Sequence, residues 1–243
     1  MRRERAGGLE ARSRRQRAVR RLPSPPKMKI LTKDIKSAIR IVLNALIIIC
    51  AGTGVIIFTF KSNFASVISY FTVQSNLLCV IAAGVTLVFF IFKRNMTCGF
   101  YLFFKGMTLV SILLTFSVYN FVLKQFFDMP ETFESILLHL AVPLMMLIDF
   151  IFFENKEYNK LWYPFGWTIF PIFYIGYTAV FKALGGTYSY FGSEANFPYF
   201  FMDYETYGLR TAGLWILLIT ICYIGFSFLL IGFGRLLVRF TKN

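Results

Sequence analysis

A chain of 243 residues that is 57% hydrophobic and 19% aromatic, with thirty phenylalanines, carries more apolar surface than one water-soluble core can absorb, so a soluble globular domain is excluded. Its net charge of +14 does not point to nucleic acid, because no folded basic face or recognition motif accompanies it. The apolar pattern has a helical period and not the alternation of a β-barrel, so the expected fold is an all-α, polytopic membrane protein, a bundle of six transmembrane helices.

Residues 1–27 differ from the rest. They hold nine of the fourteen arginines and contribute +8 of the +14, whereas the remainder prefers lysine. Such an Arg-rich extension is expected to be disordered. It reads either as a polybasic anchor or targeting peptide, or as a stretch upstream of a true start at Met28; the change in composition favours the second. Residues 28–243 are expected to form one six-helix transmembrane domain.

A hydrocarbon layer about 30 Å thick is crossed by roughly 20 apolar helical residues. Stretches of that kind run near 38–60, 67–92, 100–123, 133–153, 161–181 and 210–233. Short loops rich in Lys and Arg stay in the cytoplasm. Placing the N-terminus, the second and fourth loops and the tail on one side gathers eleven such residues from Lys29 onward, and leaves Lys61, Lys124, Lys182 and Arg210 on the other. Both termini are therefore predicted to be cytoplasmic, with loops 61–66, 124–132 and 182–209 outside.

Span two opens on Tyr70-Phe71-Thr72, and the spacing of Thr72, Ser75 and Asn76 puts the three on one helix face. Span three carries Lys105 early and Tyr119 and Asn120 near its outer end. Span four holds the only histidine, His139, with Ser135 one turn before, Pro143 one turn after and Asp149 at the far end. Lys105 and Asp149 read equally as an interhelical pair or as two side chains snorkelling to the interface. Pro143, Pro164 and Pro171 should kink their helices, while Gly84, Gly106 and Gly213 should permit close helix approach.

Loop 182–209 is crowded with Tyr and Phe and is expected to lie along the outer membrane surface, as a plain aromatic belt or as a cap over a pocket hinged at Gly185 and Gly186. Cys50, Cys79, Cys98 and Cys222 show no paired spacing and are expected to be free thiols. A single histidine without clustered thiolates leaves no ligand set for a metal or a bis-histidine haem, so no cofactor is expected.

An imidazole at membrane depth is costly to retain and marks a functional position. Spans two and four run in the same direction, and Thr72 and His139 both fall ~8–9 Å below the outer boundary at 1.5 Å per residue. Tyr119 and Asn120 reach the same level, so Ser75, Asn76, Tyr119 and Asn120 are the candidate substrate-binding residues around a polar pocket. The chemistry such a pocket supports is acyl transfer, with Thr72 as nucleophile and His139 as the general base that activates it. Asn76, Ser75 or a free backbone N–H would stabilise the oxyanion, and spacing does not choose among them. Against this stands the plain reading that intramembrane Thr, Ser, Asn and His join helices by hydrogen bonds.

The motif Tyr70-Phe71-Thr72, followed by His139-Leu140-Ala141-Val142-Pro143 in span four, resembles the androgen-induced-gene family of six-span proteins. That family includes intramembrane threonine hydrolases that cleave fatty acid esters of hydroxy fatty acids. The resemblance implies a nucleophile at Thr72, a histidine partner at His139 and a fatty-acyl ester substrate. The wider pattern is similar to a bacterial group of six-span integral membrane proteins with recurrent prolines, of the Pr-six-Pr type. It runs from Met28 to the end through Ser75-Asn76-Leu77-Leu78, Pro143 with Asp149, Tyr163-Pro164 with Pro171, and Phe197-Pro198-Tyr199-Phe200-Phe201. That second likeness implies a bacterial plasma membrane. Two other classes remain in play: a small-molecule or lipid transporter, which would depend on Lys105 or Asp149, and a non-enzymatic scaffold or sensor, which would tolerate changes at all these positions.

Overall fold

The computed structural model describes residues 26–61, 63–94, 96–129, 131–154, 156, 159–190 and 193–242. The Arg-rich segment 1–25 lies outside the described residues. The chain divides into two compact units, residues 1–39 and residues 40–243, and the second holds the functional features described below.

Six long helices dominate. They are α1 (Pro26–Lys61), α2 (Phe71–Ile91), α3 (Gly99–Phe126), α4 (Phe133–Phe153), α5 (Tyr163–Ala183) and α6 (Leu209–Lys242). Each contains a stretch long and apolar enough to cross a membrane. Between α5 and α6 a hairpin pairs β1 (Tyr188–Tyr190) with β2 (Ser193–Ala195) in antiparallel register, Tyr188 opposite Ala195.

The second predicted span starts late. A separate short helix, Phe64–Ile68, is capped by the Asn63 side chain on the Ala65 amide at 2.9 Å and closed by the Ser69 hydroxyl on the Ala65 carbonyl at 2.7 Å. Tyr70 is then extended, at φ −79° and ψ 139°, and α2 begins at Phe71. This break puts Thr72 in the first turn of its helix, where backbone N–H groups have no partner one turn earlier.

Two of the helices contain a π-helical turn, Tyr119–Leu123 in α3 and Leu137–Ala141 in α4. The second has a visible cause. Pro143 has no N–H to offer, and the Val142 amide bonds to the Leu137 carbonyl, one residue further back than α-helical register requires. The carbonyls of Leu138 and His139 are thereby stripped of their intrahelical donors. Asn76 supplies the first through Nδ2 at 3.2 Å and Asn120 the second at 3.4 Å. Pro171 works likewise in α5: the Trp167 carbonyl it leaves free accepts from the Tyr223 hydroxyl at 3.0 Å. Pro164 does not kink a helix interior, because it falls in the first turn of α5, where a missing N–H is not needed.

A Cβ at Gly106 would collide with the Trp167 ring, so this glycine lets α5 seat its indole on α3, where Nε1 donates to the Phe103 carbonyl at 2.8 Å. Gly84 and Gly213 have no neighbour within 4 Å of an added Cβ and mark no close approach.

Ten residues beyond His139, Asp149 is fully buried in a charged cluster that ties three helices together. It accepts from Arg40 Nε at 3.0 Å and Asn44 Nδ2 at 3.1 Å, and it pairs with Lys105. Glu154 accepts from both Arg40 and Lys105 at 3.1 Å. Two cations thus meet two carboxylates, so Lys105 and Asp149 form an interhelical pair.

Candidate functional site

Thr72 and His139 approach each other across α2 and α4. The Thr72 Oγ1 lies 3.4 Å from His139 Nε2, a contact that is long for a formed hydrogen bond but within the range that tightens when substrate packs against a catalytic pair. The other ring nitrogen decides what Nε2 can do. His139 Nδ1 lies 3.1 Å from the Ser135 carbonyl, and a carbonyl only accepts, so Nδ1 carries the proton. In a neutral imidazole Nε2 then presents its lone pair to the Thr72 hydroxyl. This tautomer is the one a general base needs.

The imidazole is held from its face as well. Tyr119 stacks on it with centroids 3.7 Å apart and planes 12° from parallel. The Ser135 hydroxyl donates to the Tyr119 oxygen at 2.6 Å. His139 and Tyr119 both lie in π-helical turns.

Ser75, Asn76 and Asn120 do other work in this geometry. Ser75 Oγ lies 3.1 Å from the Thr72 carbonyl and 2.8 Å from Thr115 Oγ1. Asn76 Nδ2 donates to the Thr72 carbonyl at 2.8 Å besides reaching Leu138. Both side chains are fully buried. Together with Asn120 they hold the backbone on which Thr72 and His139 sit, and their donors are turned away from the Thr72 hydroxyl. The amides of Phe71 and Thr72, in the first turn of α2, are instead directed at the phenols of Tyr174 and Tyr199. An oxyanion formed beside Thr72 could use these amides only by displacing the phenols.

Thr72 and Tyr119 open onto a cleft of about 80 Å³. The walls are apolar, from Leu114 and Val118 of α3, Ile175 of α5, and Ile216 and Ile219 of α6. His139 does not line the cleft; the Tyr119 ring stacked on it does. Searches against protein-family models, curated proteins and solved structures find no match for this chain.

The α5–α6 connection folds into the bundle end more deeply than a surface belt would. Tyr188, Tyr199, Phe201 and Met202 are buried, while Tyr204 and Tyr207 remain exposed. Tyr199, Phe201 and Met202 line the cleft. Burial pushes the Tyr199 phenol up, an effect partly offset by the Thr72 hydroxyl and by the amides of Thr72 and Phe71, so it stays a neutral phenol beside Thr72. Sequence reading reaches Tyr199 through the aromatic density of its loop and the Phe197–Phe201 motif, neither of which gives it a role at Thr72. Among the described residues, no three His, Cys, Asp or Glu side chains are grouped to hold a metal ion.

Proposed function

We propose that this chain is a multi-pass membrane hydrolase that cleaves fatty-acyl esters, with Thr72 as nucleophile and His139 as general base. Both termini lie in the cytoplasm, as the Lys and Arg distribution indicates, and the Thr72–His139 pair sits in the outer half of a bacterial plasma membrane. The observation that carries the reading is the placement of the His139 ring, with Nδ1 3.1 Å from the Ser135 carbonyl and Nε2 3.4 Å from the Thr72 hydroxyl; because the carbonyl only accepts, the proton belongs on Nδ1 and the Nε2 lone pair faces Thr72. The motifs shared with the androgen-induced-gene family fall on these same two residues.

The reaction follows the usual double displacement. Thr72 Oγ attacks the ester carbonyl carbon while its proton passes to His139 Nε2. The oxyanion displaces the phenols from the amides of Phe71 and Thr72. Collapse breaks the bond to the alcohol oxygen, which takes the proton from Nε2, and Thr72 is left acylated. Water, deprotonated by Nε2, then attacks the acyl carbon. The carboxylic acid departs and the proton returns to Thr72. The apolar walls of the cleft supply the place for the acyl chain.

The test is labelling of the full chain with a fluorophosphonate probe, which reports an activated hydroxyl without requiring the natural substrate. Wild type should label, and Thr72→Ala and His139→Ala should not at matched abundance. A folded wild type that fails to label would overturn the hydrolase and leave the pair as helix-joining polar groups.

A further inference from the structure

Among the described residues, no carboxylate stands behind the dyad. The acids nearest to His139 in sequence are both engaged elsewhere: Glu131 binds Lys124 at 2.6 Å and Glu134 binds Lys61 at 2.5 Å. Yet general base catalysis puts a positive charge on the imidazole in the transition state, and in an apolar bundle that charge needs a partner. What the structure places against the ring is an aromatic face.

We propose that Tyr119 is the third member of the catalytic machinery, a positioning residue whose π-face fixes the His139 ring and stabilises it once it carries the proton. The proposal rests on the hydrolase reading above. Three observations converge on it. The rings are stacked at 3.7 Å and 12°, closer and flatter than incidental aromatic packing. One π-helical turn of α3 grips the histidine twice, since Tyr119 covers the ring and Asn120 binds its backbone carbonyl at 3.4 Å. Ser135 joins the two residues, its carbonyl accepting from His139 Nδ1–H and its hydroxyl donating to the Tyr119 oxygen. Both rings lie in π-helical turns, a local departure that recurs at functional sites.

The negative face of an aromatic ring attracts a cation and has little hold on a neutral imidazole, so the interaction strengthens as the proton arrives. The Ser135 carbonyl adds a fixed dipole at Nδ1–H. Neither group must reorganise during the reaction. Lys124 also lies over the Tyr119 ring, 5.3 Å from its centroid, and its charge reaches His139. Lys124 is itself paired with Glu131, and Lys61 with Glu134.

The test compares wild type, Tyr119→Leu and Tyr119→Phe as full chains in detergent, using the fluorophosphonate labelling rate and the kcat and KM for a p-nitrophenyl acyl ester. Tyr119→Leu removes the π-face and is expected to lower kcat and the labelling rate about tenfold, with KM within about twofold, the range a desolvated cation–π contact supplies. Tyr119→Phe keeps the face and should recover most of that loss. Should Tyr119→Leu fail to fold, Tyr119→Met takes its place as the variant without a π-face, with the same loss of about tenfold expected. A labelled wild type with an unaffected Tyr119→Leu, or a Tyr119→Phe as slow as Tyr119→Leu, overturns the role of the ring face alone. A folded wild type that does not label overturns the hydrolase reading and this one with it.

Discussion

Replacing Asn76 by Leu tests whether the stranded carbonyls of α4 are held from α2. The substitution is close to isosteric at a position with no solvent exposure, so packing changes little and the polar groups dominate. It deletes the donor to the Leu138 carbonyl, whose α-helical partner, the Val142 amide, is bound to Leu137 instead. The Thr72 carbonyl suffers less, because Ser75 Oγ stays within 3.1 Å. A hydrogen bond between membrane helices contributes about 0.6 kcal/mol and up to about 1.7, and a buried carbonyl left without a donor costs roughly 1–3 kcal/mol. Against this, Asn76 Oδ1 is itself buried without a partner, and its removal relieves roughly 1 kcal/mol. The net expectation is a loss of about 1–2 kcal/mol. Asn76→Asp should lose more, because it turns an acceptor oxygen toward two carbonyl oxygens. Unfolding in a graded series of denaturing detergent, followed by helical circular dichroism, should rank wild type above Asn76→Leu above Asn76→Asp. Both variants should also label more slowly with fluorophosphonate, since the π-helical turn that carries His139 loses its brace. A Leu variant as stable as wild type and equally reactive would refute the argument that Asn76 supports the site through the α4 backbone.

Asp149→Asn should destabilise by about 3–5 kcal/mol, since it leaves Arg40 and Lys105 buried with Glu154 as their only carboxylate; detergent unfolding checks this, and wild-type stability would mean that the cluster admits water. Gly106→Leu drives a side chain into the Trp167 indole and should cost about 1–3 kcal/mol through overpacking, seen as a lower unfolding midpoint. The Lys182 hydrogen bond, with help from Asn196, holds the Glu205 carboxyl below its ordinary value. Its contribution to the α5–α6 connection is therefore present above the ordinary carboxylate pKa of about 4.3 and lost as pH falls through the depressed value. Cleavage of that connection by an acid-active protease should accordingly rise at low pH in wild type, whereas Glu205→Gln should be cleaved readily at either pH; equal pH dependence in both would exclude the pair as the clasp.

Six helices long and apolar enough to cross a membrane were legible in the chain because length and hydropathy are local properties, and their observed positions depart from the predicted ones by only a few residues at most ends. The pairing of Thr72 with His139 was legible for a related reason: parallel helices of known rise put residues of equal depth at one level. The loss of donors around Pro143 could also be read from the residue itself, since proline has no N–H. Which neighbours would answer that loss could not. Asn76 and Asn120 spaced as pocket residues, and only the packing of α2 and α3 against α4 turned their amides to the Leu138 and His139 carbonyls. The same packing laid the Tyr119 ring of α3 on the His139 ring of α4. It also drew Tyr199 in from a loop whose composition suggested a membrane surface. Each of these depends on the rotation of one helix about its axis relative to another, which hydropathy constrains to a face and interhelical contact alone resolves to a side chain.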